Sequence, residues 1–408
     1  MTKYILIAIA FLGGAFSIFL NIVQARSASN PTPENLSDVY DAETYTKWKS
    51  YSAEHSRLSI LSSVITGIVM LALLFTDAYA AFASLFPDNV SWQLIAVILL
   101  ETVVGTLAGV VESYISNMVI EQKYGFNRTS IKTFIADRIR TLLLGFVLTF
   151  FLTELIRFTY TMLGILMIPI FACAMLAFSL IVSFLYPIFS RIGNKFTPLE
   201  EGELKDNLMN LLTKHGYKVK AIEVMDASRR TTKLNAYFTG FGKMKTIVLF
   251  DNLINAMSTD EICAVFAHEL GHGLYKDVTK RQVLNFFNML LMGTAAYVAV
   301  SFEEIHTAFG FAEVNYGFGY LVMSIGLGII MPLTGIVMNA YSRFAEYRAD
   351  RQSVAEGYGP AMITALKKLA RENFAHLAPS KINVVLEYSH PPLSERIAAV
   401  EKEIKKIK

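Results

Sequence analysis

The chain has 408 residues, of which 53% are apolar and only 17% charged; soluble domains carry about 25% charged residues, so an ordinary soluble enzyme and a disordered chain are both excluded. A net charge of +3, from 37 basic and 34 acidic residues, leaves no footprint for nucleic acid as a partner. Two cysteines, Cys173 and Cys263, exclude a disulfide framework and a cysteine-rich zinc site, so a metal would have to be held by the seven histidines and the carboxylates.

Crossing a bilayer takes about 20 apolar residues in a helix. Seven runs qualify: residues 4–23, 58–85, 92–120, a shorter one at 141–153 continuing towards 159, 160–186, 283–300 and 317–338. The first could be a signal peptide, with Lys3 before it and Ala25 and Ser27 after it. Its length exceeds the roughly 7–15 residues of a signal core, so it is read as a retained helix. Loop charge sets orientation. Arg26, Lys47, Lys49 and Arg57 follow the first run, Lys123 to Arg140 follow the third, and Arg191 and Lys195 follow the fifth. The opposite loops are nearly free of Lys and Arg, which places the N-terminus outside and both long polar segments in the cytoplasm. Asp77, Glu101 and Glu112 fall inside or near apolar runs. They mark either interface ends or an interior that holds water, since a carboxylate facing lipid is costly.

The chain therefore divides into residues 1–189, five spanning helices with their loops; 190–282, a cytoplasmic α+β segment; 283–340, the last two spans; and 341–408, a cytoplasmic tail. The α+β segment opens on Thr197-Pro198-Leu199-Glu200, a capping-box pattern that predicts a helix running to His215 and stopping at Gly216. Strands are predicted over 218–225, 234–239 and 246–250.

A second capping box, Ser258-Thr259-Asp260-Glu261, opens a helix that contains His268-Glu269-Leu270-Gly271-His272. Residues i and i+4 of a helix lie one above the other, so the two imidazoles share a face and can chelate one zinc ion. Glu269 is too close in sequence to join that chelate, but it can hold the attacking water and take its proton. Chance alone gives about 0.007 such motifs in a chain of this composition.

A catalytic zinc needs a third protein ligand. Glu346 and Asp350, also i and i+4, can supply a ligand and a carboxylate that fixes a ligand histidine. The same pair, beside Arg343 and Arg351, could instead belong to an ordinary charged surface helix, but His268 and His272 demand a partner and few acidic helices remain downstream. His390 is followed by Pro391 and Pro392. Such a rigid loop either brings the histidine to an oxyanion or simply caps the last helix.

Taken together, these motifs closely resemble the type I CAAX prenyl proteases, integral-membrane zinc metalloendopeptidases. The likeness rests on His268-x-x-x-His272, Glu346-x-x-x-Asp350 and Ser389-His390-Pro391-Pro392-Leu393-x-Glu395-Arg396, in that order. Upstream it includes residues 120–129, 235–242 and 245–251. The resemblance implies a mostly α, seven-helix membrane protein that encloses a chamber, with a cytoplasmic gluzincin-like α+β zinc domain. It implies one Zn2+ per chain, held by His268, His272 and Glu346, with Glu269 as general base and Asp350 behind a histidine ligand. Asn235, Ala236 and Tyr237 would lie on an edge strand that pairs with substrate, and His390 and Arg396 would bind substrate and steady the oxyanion. The implied partners are the lipid bilayer and peptides, prenylated ones among them, cut near the C-terminus. A general quality-control protease of the HtpX kind is the alternative. A short chain without a long hydrophilic insert between the last two spans favours a bacterial inner membrane over the endoplasmic reticulum. Oligomeric state is left open.

Overall fold

The structure, a computed structural model, describes residues 1–86, 89–239 and 246–407. Pro87 and Asp88 of a predicted loop, and residues 240–245 of two of the motifs above, lie outside the described residues.

The first half is helical. α1 (Thr2–Ser27) packs on α2 (Ala42–Phe75), which reaches well beyond its apolar run. Its first turn is capped by the Asp41 side chain, which accepts from Thr44 N. The predicted second span does not continue to residue 85: Asp77, at φ 56°, breaks the chain into the short α3 (Ala78–Ala83). Asp77 pairs there with Lys3 at 2.7 Å, at the start of α1. α4 (Val90–Tyr114) continues into a π-helical stretch over Ile115–Glu121. α5 (Ile131–Leu163) is longer than its apolar core, because a polar first part beginning at the Ser130 cap extends it. Gly164, at φ 54°, turns the chain into α6 (Met167–Phe189).

Six helical stretches in the described residues are long and apolar enough to cross a membrane, and 131–189 counts among them as one stretch of 59 residues. Only 6–22% of each apolar window is buried within the protein. So much uncovered apolar surface is unstable in water and is satisfied by lipid. The carboxylates inside these helices have protein partners. Glu101 accepts from Tyr79 Oη at 2.6 Å and Glu112 from Ser62 Oγ at 2.5 Å. Glu101 also lines a cavity of about 440 Å³ between α4, α5 and the long helix α12 described below, together with Thr102, Thr106 and Arg138.

The second half begins with a correction. Thr197 and Pro198 do not cap a helix: β1 (Phe196–Pro198) pairs antiparallel with the strand Ala221–Met225, β2, and α7 (Glu203–Lys214) starts only after Gly202. Proline is tolerated because β1 is an edge strand. β2 (Ala221–Met225), β3 (Ala236–Thr239) and β4 (Thr246–Phe250) complete a sheet of order β1-β2-β4-β3. β4 is central, parallel to β2 and antiparallel to β3, and its first four residues are buried. β3 is the other edge. α8 (Asp251–Ala256) leads to α9 (Thr259–Leu274), which is buried on nearly every face. The Ser258–Glu261 capping box is present as predicted. α10 (Asp277–Ser301) packs on α6; α11 (Glu303–Thr307) is a short link; α12 (Tyr316–Ala355) runs 40 residues from the apolar layer to the polar one. α13 (Gly359–Glu372), α14 (Lys381–Leu386) and α15 (Leu393–Ile407) close the fold.

α9 meets α12 at Gly271. A Cβ there would lie 3.1 Å from both Ala349 Cα and Gln352 Cβ, atoms fixed to the α12 backbone. We expect Gly271→Val to push the helices apart and to abolish stoichiometric metal binding while the membrane helices stay folded. Metal analysis and far-UV circular dichroism of the purified variant check this.

Candidate metal centre

α9 presents His268 and His272 one turn apart, and α12 presents Glu346 opposite them. His268 Nε2 lies 3.5 Å from Glu346 Oε2, and His272 Nε2 lies 3.3 Å from Glu346 Oε1. The three ligand atoms all lie within 4.8 Å of one another. Ligands about 2.0–2.1 Å from a tetrahedral ion are separated by about 3.3–3.4 Å; the two histidine–glutamate spacings are of that size, although they run to different oxygens of Glu346.

The outer nitrogens of both rings are occupied. His268 Nδ1 donates to Asp350 Oδ1 at 2.8 Å, and His272 Nδ1 donates to Asp277 Oδ2 at 3.0 Å. Each bond leaves Nε2 with its lone pair free and aimed inward. Asp350 also accepts from Arg396 Nε at 2.9 Å and Nη2 at 2.7 Å. Asp277 accepts from Tyr341 Oη at 2.9 Å and from Arg348. Asp277 and its two partners were not among the predicted residues. Asp277 stands five residues beyond His272 and reaches it because Lys276, at φ 55°, turns the chain before α10.

Two observations test whether these residues fit a metal. Glu346 Oε2 is buried and has no hydrogen-bond partner, a costly state for a carboxylate oxygen unless a cation meets it. The charges also fall short of balance. Glu269, Glu346, Asp350 and Asp277 carry four negative charges, while Arg396 and Arg348 carry two positive ones. With all four carboxylates ionised and both histidines neutral, the protonation that metal ligation requires, the remainder is −2, which a divalent ion cancels. The donor set of two imidazoles and one carboxylate, with a fourth position left over, suits zinc in a catalytic site.

Around the three ligand residues stand the other predicted groups. Glu269 is half-buried on α9. Burial raises its carboxyl above the ordinary pKa, and Glu346 adds to this against the pull of both histidines and Arg396. His390 Nε2 lies 3.4 Å from Glu346 Oε1, and Ser389 Oγ is 3.0 Å from His390 Nδ1. The His390 side chain is 63% exposed, and the protein around it lowers its pKa against the pull of Glu346. Arg396 Nη1 lies 3.6 Å from Glu346 Oε2, but two of its nitrogens are spent on Asp350. Asn235, Ala236 and Tyr237 sit away from the ligand cluster, at the start of β3 beside α9. Asn235 O accepts from Phe250 N, and the Tyr237 ring packs edge-on to Tyr186 of α6 at 6.2 Å.

The two halves of the chain match different family models. Residues 4–191 match the CAAX prenyl protease N-terminal region of five membrane helices, and residues 198–404 match peptidase family M48. CAAX prenyl protease 1 of Saccharomyces cerevisiae is 31% identical over 423 residues, covering 95% of this chain and 92% of that protein. The CAAX prenyl protease 1 homolog of Oryza sativa subsp. japonica is 30% identical, covering 95% and 94%. The crystal structure of S. mikatae Ste24p aligns with a TM-score of 0.89 at 28% identity, covering 98% of this chain and 99% of that one.

Removing the carboxylate behind His272 should loosen the metal without unfolding the protein. Asp277→Ala is expected to weaken metal binding about 10- to 100-fold, measured by competition with a chelator of known affinity.

Proposed function

The chain belongs to peptidase family M48, and we propose that it cuts peptide bonds near the C-terminus of prenylated, membrane-associated peptides. It is an integral-membrane metalloendopeptidase of the CAAX prenyl protease kind, a multi-pass membrane protein whose family implies a bound metal, typically zinc. The observation that carries the substrate reading is the joining of this metal centre, by the single helix α12, to a membrane-embedded half that matches the CAAX protease region. A peptide anchored in the bilayer by a lipid is thereby presented at the level of the site.

In this reading His268, His272 and Glu346 hold one zinc ion. Once bound, the ion supplies a Lewis acid for the scissile carbonyl and lowers the pKa of its water. The chain's own residues do the rest. Glu269 takes the proton of the attacking water and delivers it to the leaving amine. With Ser389 Oγ donating to His390 Nδ1, the His390 ring keeps its proton on Nε2 and donates it to the oxyanion. Asp350 and Asp277 hold the two imidazoles in the tautomer that frees Nε2. Arg396 acts mainly by fixing Asp350, and its Nη1 stands nearest the reacting space. The free edge of β3, from Asn235 through Tyr237, accepts the peptide as an added strand.

The finer architecture is part of the same proposal. We count seven crossings, because the 59-residue stretch turns at Gly164 and its two halves, α5 and α6, pack on one another. Residues 1–189 and 283–340 form the membrane part around a water-holding interior, to which the cavity beside Glu101 lends support. Residues 190–282 and 341–408 form the catalytic part, facing the cytoplasm by the loop-charge argument. Alignment over 92–94% of two eukaryotic relatives removes chain length as an argument for a bacterial membrane.

Purified protein in detergent should cleave a farnesylated CaaX peptide well ahead of the same peptide without its lipid. Equal cleavage of both would sink the prenyl reading and shift the substrate class to membrane proteins in general. Glu269→Ala should retain its metal and lose about 10³-fold in kcat; wild-type turnover by this variant would refute the assignment of the base.

A further inference from the structure

His390 stands on a loop, and loops place side chains loosely unless something holds them. Here the holder is α12 itself. Asn339, Arg343, Glu346 and Asp350 follow one another at spacings of four, three and four residues, so they form one stripe along the helix. Glu346 and Asp350 face the metal centre. The other two grip the segment that carries His390. Arg343 Nη1 donates to Val384 O at 2.7 Å and to Tyr388 O at 2.8 Å. Asn339 Nδ2 donates to Leu386 O at 2.7 Å.

Val384 and Leu386 lie in the last turn of α14, whose carbonyls a helix cannot satisfy internally, and Tyr388 lies just beyond it. Arg343 and Asn339 therefore cap α14 and fix the backbone two residues before His390. Pro391 and Pro392 stiffen the far side. One turn further along α12, Tyr347 Oη donates to Glu395 at 2.7 Å, and Arg396 returns to Asp350. From the other side, Gln24 Nε2 of α1 donates to Tyr388 Oη at 2.8 Å.

We propose that Arg343 is the positioning residue for His390: its guanidinium ties the 384–388 backbone to the helix that carries Glu346, and so sets the distance between the His390 ring and the reacting carbonyl. Arg343 touches neither metal nor substrate. The inference rests on the reading of His390 as the oxyanion donor.

The test is a double-mutant cycle with the full-length protein and a peptide it cleaves. His390→Ala should lower kcat by about 10²–10³-fold, the usual cost of losing one such donor. Arg343→Gln should lower kcat ten- to hundredfold, with KM within about twofold and metal content unchanged. Arg343→Lys, which keeps one donor, should recover part of that loss. In the His390→Ala background, Arg343→Gln should cost less than about twofold more, because nothing remains to be positioned. An equal loss from Arg343→Gln in both backgrounds would overturn the proposal and make Arg343 a purely structural residue. Wild-type kcat in Arg343→Gln would overturn it as well. A His390→Ala variant with undiminished kcat would remove the premise, which separates failure of the His390 reading from failure of this one.

Discussion

The metal centre depends first on how closely α9 can approach α12. Both helices bring their ligands from the helix surface, so the gap between the axes fixes the distance from imidazole to carboxylate. Gly271 stands between His268 and His272 on α9, against the backbone of Ala349 on α12. A Cβ there would force the helices to give by a few tenths of an ångström, about what metal–ligand distances tolerate, and a larger side chain would force more. The small residues at this contact, Gly271 and Ala349, therefore help set the spacing of His268, His272 and Glu346.

Close approach concentrates charge. Four carboxylates and two guanidiniums stand in or against the site; Asp277, Glu346 and Asp350 are buried and the other three half-buried. Burying ions is costly unless each is paired and its hydrogen-bonding capacity is met. Asp350 and Asp277 meet that condition: each accepts from a ligand histidine and from an arginine, so each fixes a ring and is itself fixed. Glu346 does not: its buried Oε2 accepts no hydrogen bond, with Arg396 Nη1 standing off at 3.6 Å. That unmet hydrogen-bonding capacity is what a cation among His268, His272 and Glu346 would satisfy, a physical argument independent of any sequence motif.

Much of this could be read from the sequence, and the failures have physical causes. That His268, His272, Glu346 and Asp350 come together was legible because helical periodicity turns spacing into direction. The Ser258 cap was legible because its hydrogen bonds are local. Thr197-Pro198 carries the same local pattern and was misread, since pairing with β2 is a long-range event that overrides it. The predicted span over 58–85 missed its break because apolar content does not register the left-handed turn at Asp77. Asp277 went unnoticed because its reach to His272 depends on one backbone angle at Lys276. Arg343 was visible only as a charge beside Glu346; its partners are carbonyls about 40 residues downstream, and a sequence does not mark which carbonyls are orphaned.

The two matched regions of the chain meet as consecutive blocks in sequence but not as separable bodies in space. The C-terminal end of α1 is bonded to the tail at several points: Gln24 to Tyr388, Ser27 to His376, Asn30 to Ala378 O and, just beyond, Asn35 to Ser394. The buried Asn383 of α14 donates to Leu20 O at 3.1 Å. The loop that brings His390 to the site is thus held between the first membrane helix and the last long one. A membrane anchor that merely tethered the enzyme would need none of these bonds, and their buried polar atoms would be costly to expose singly. The physical role of α1 is that of a wall of the catalytic half. It ties the backbone that carries His390, and through α12 the geometry at Glu346, to the packing of the apolar helices.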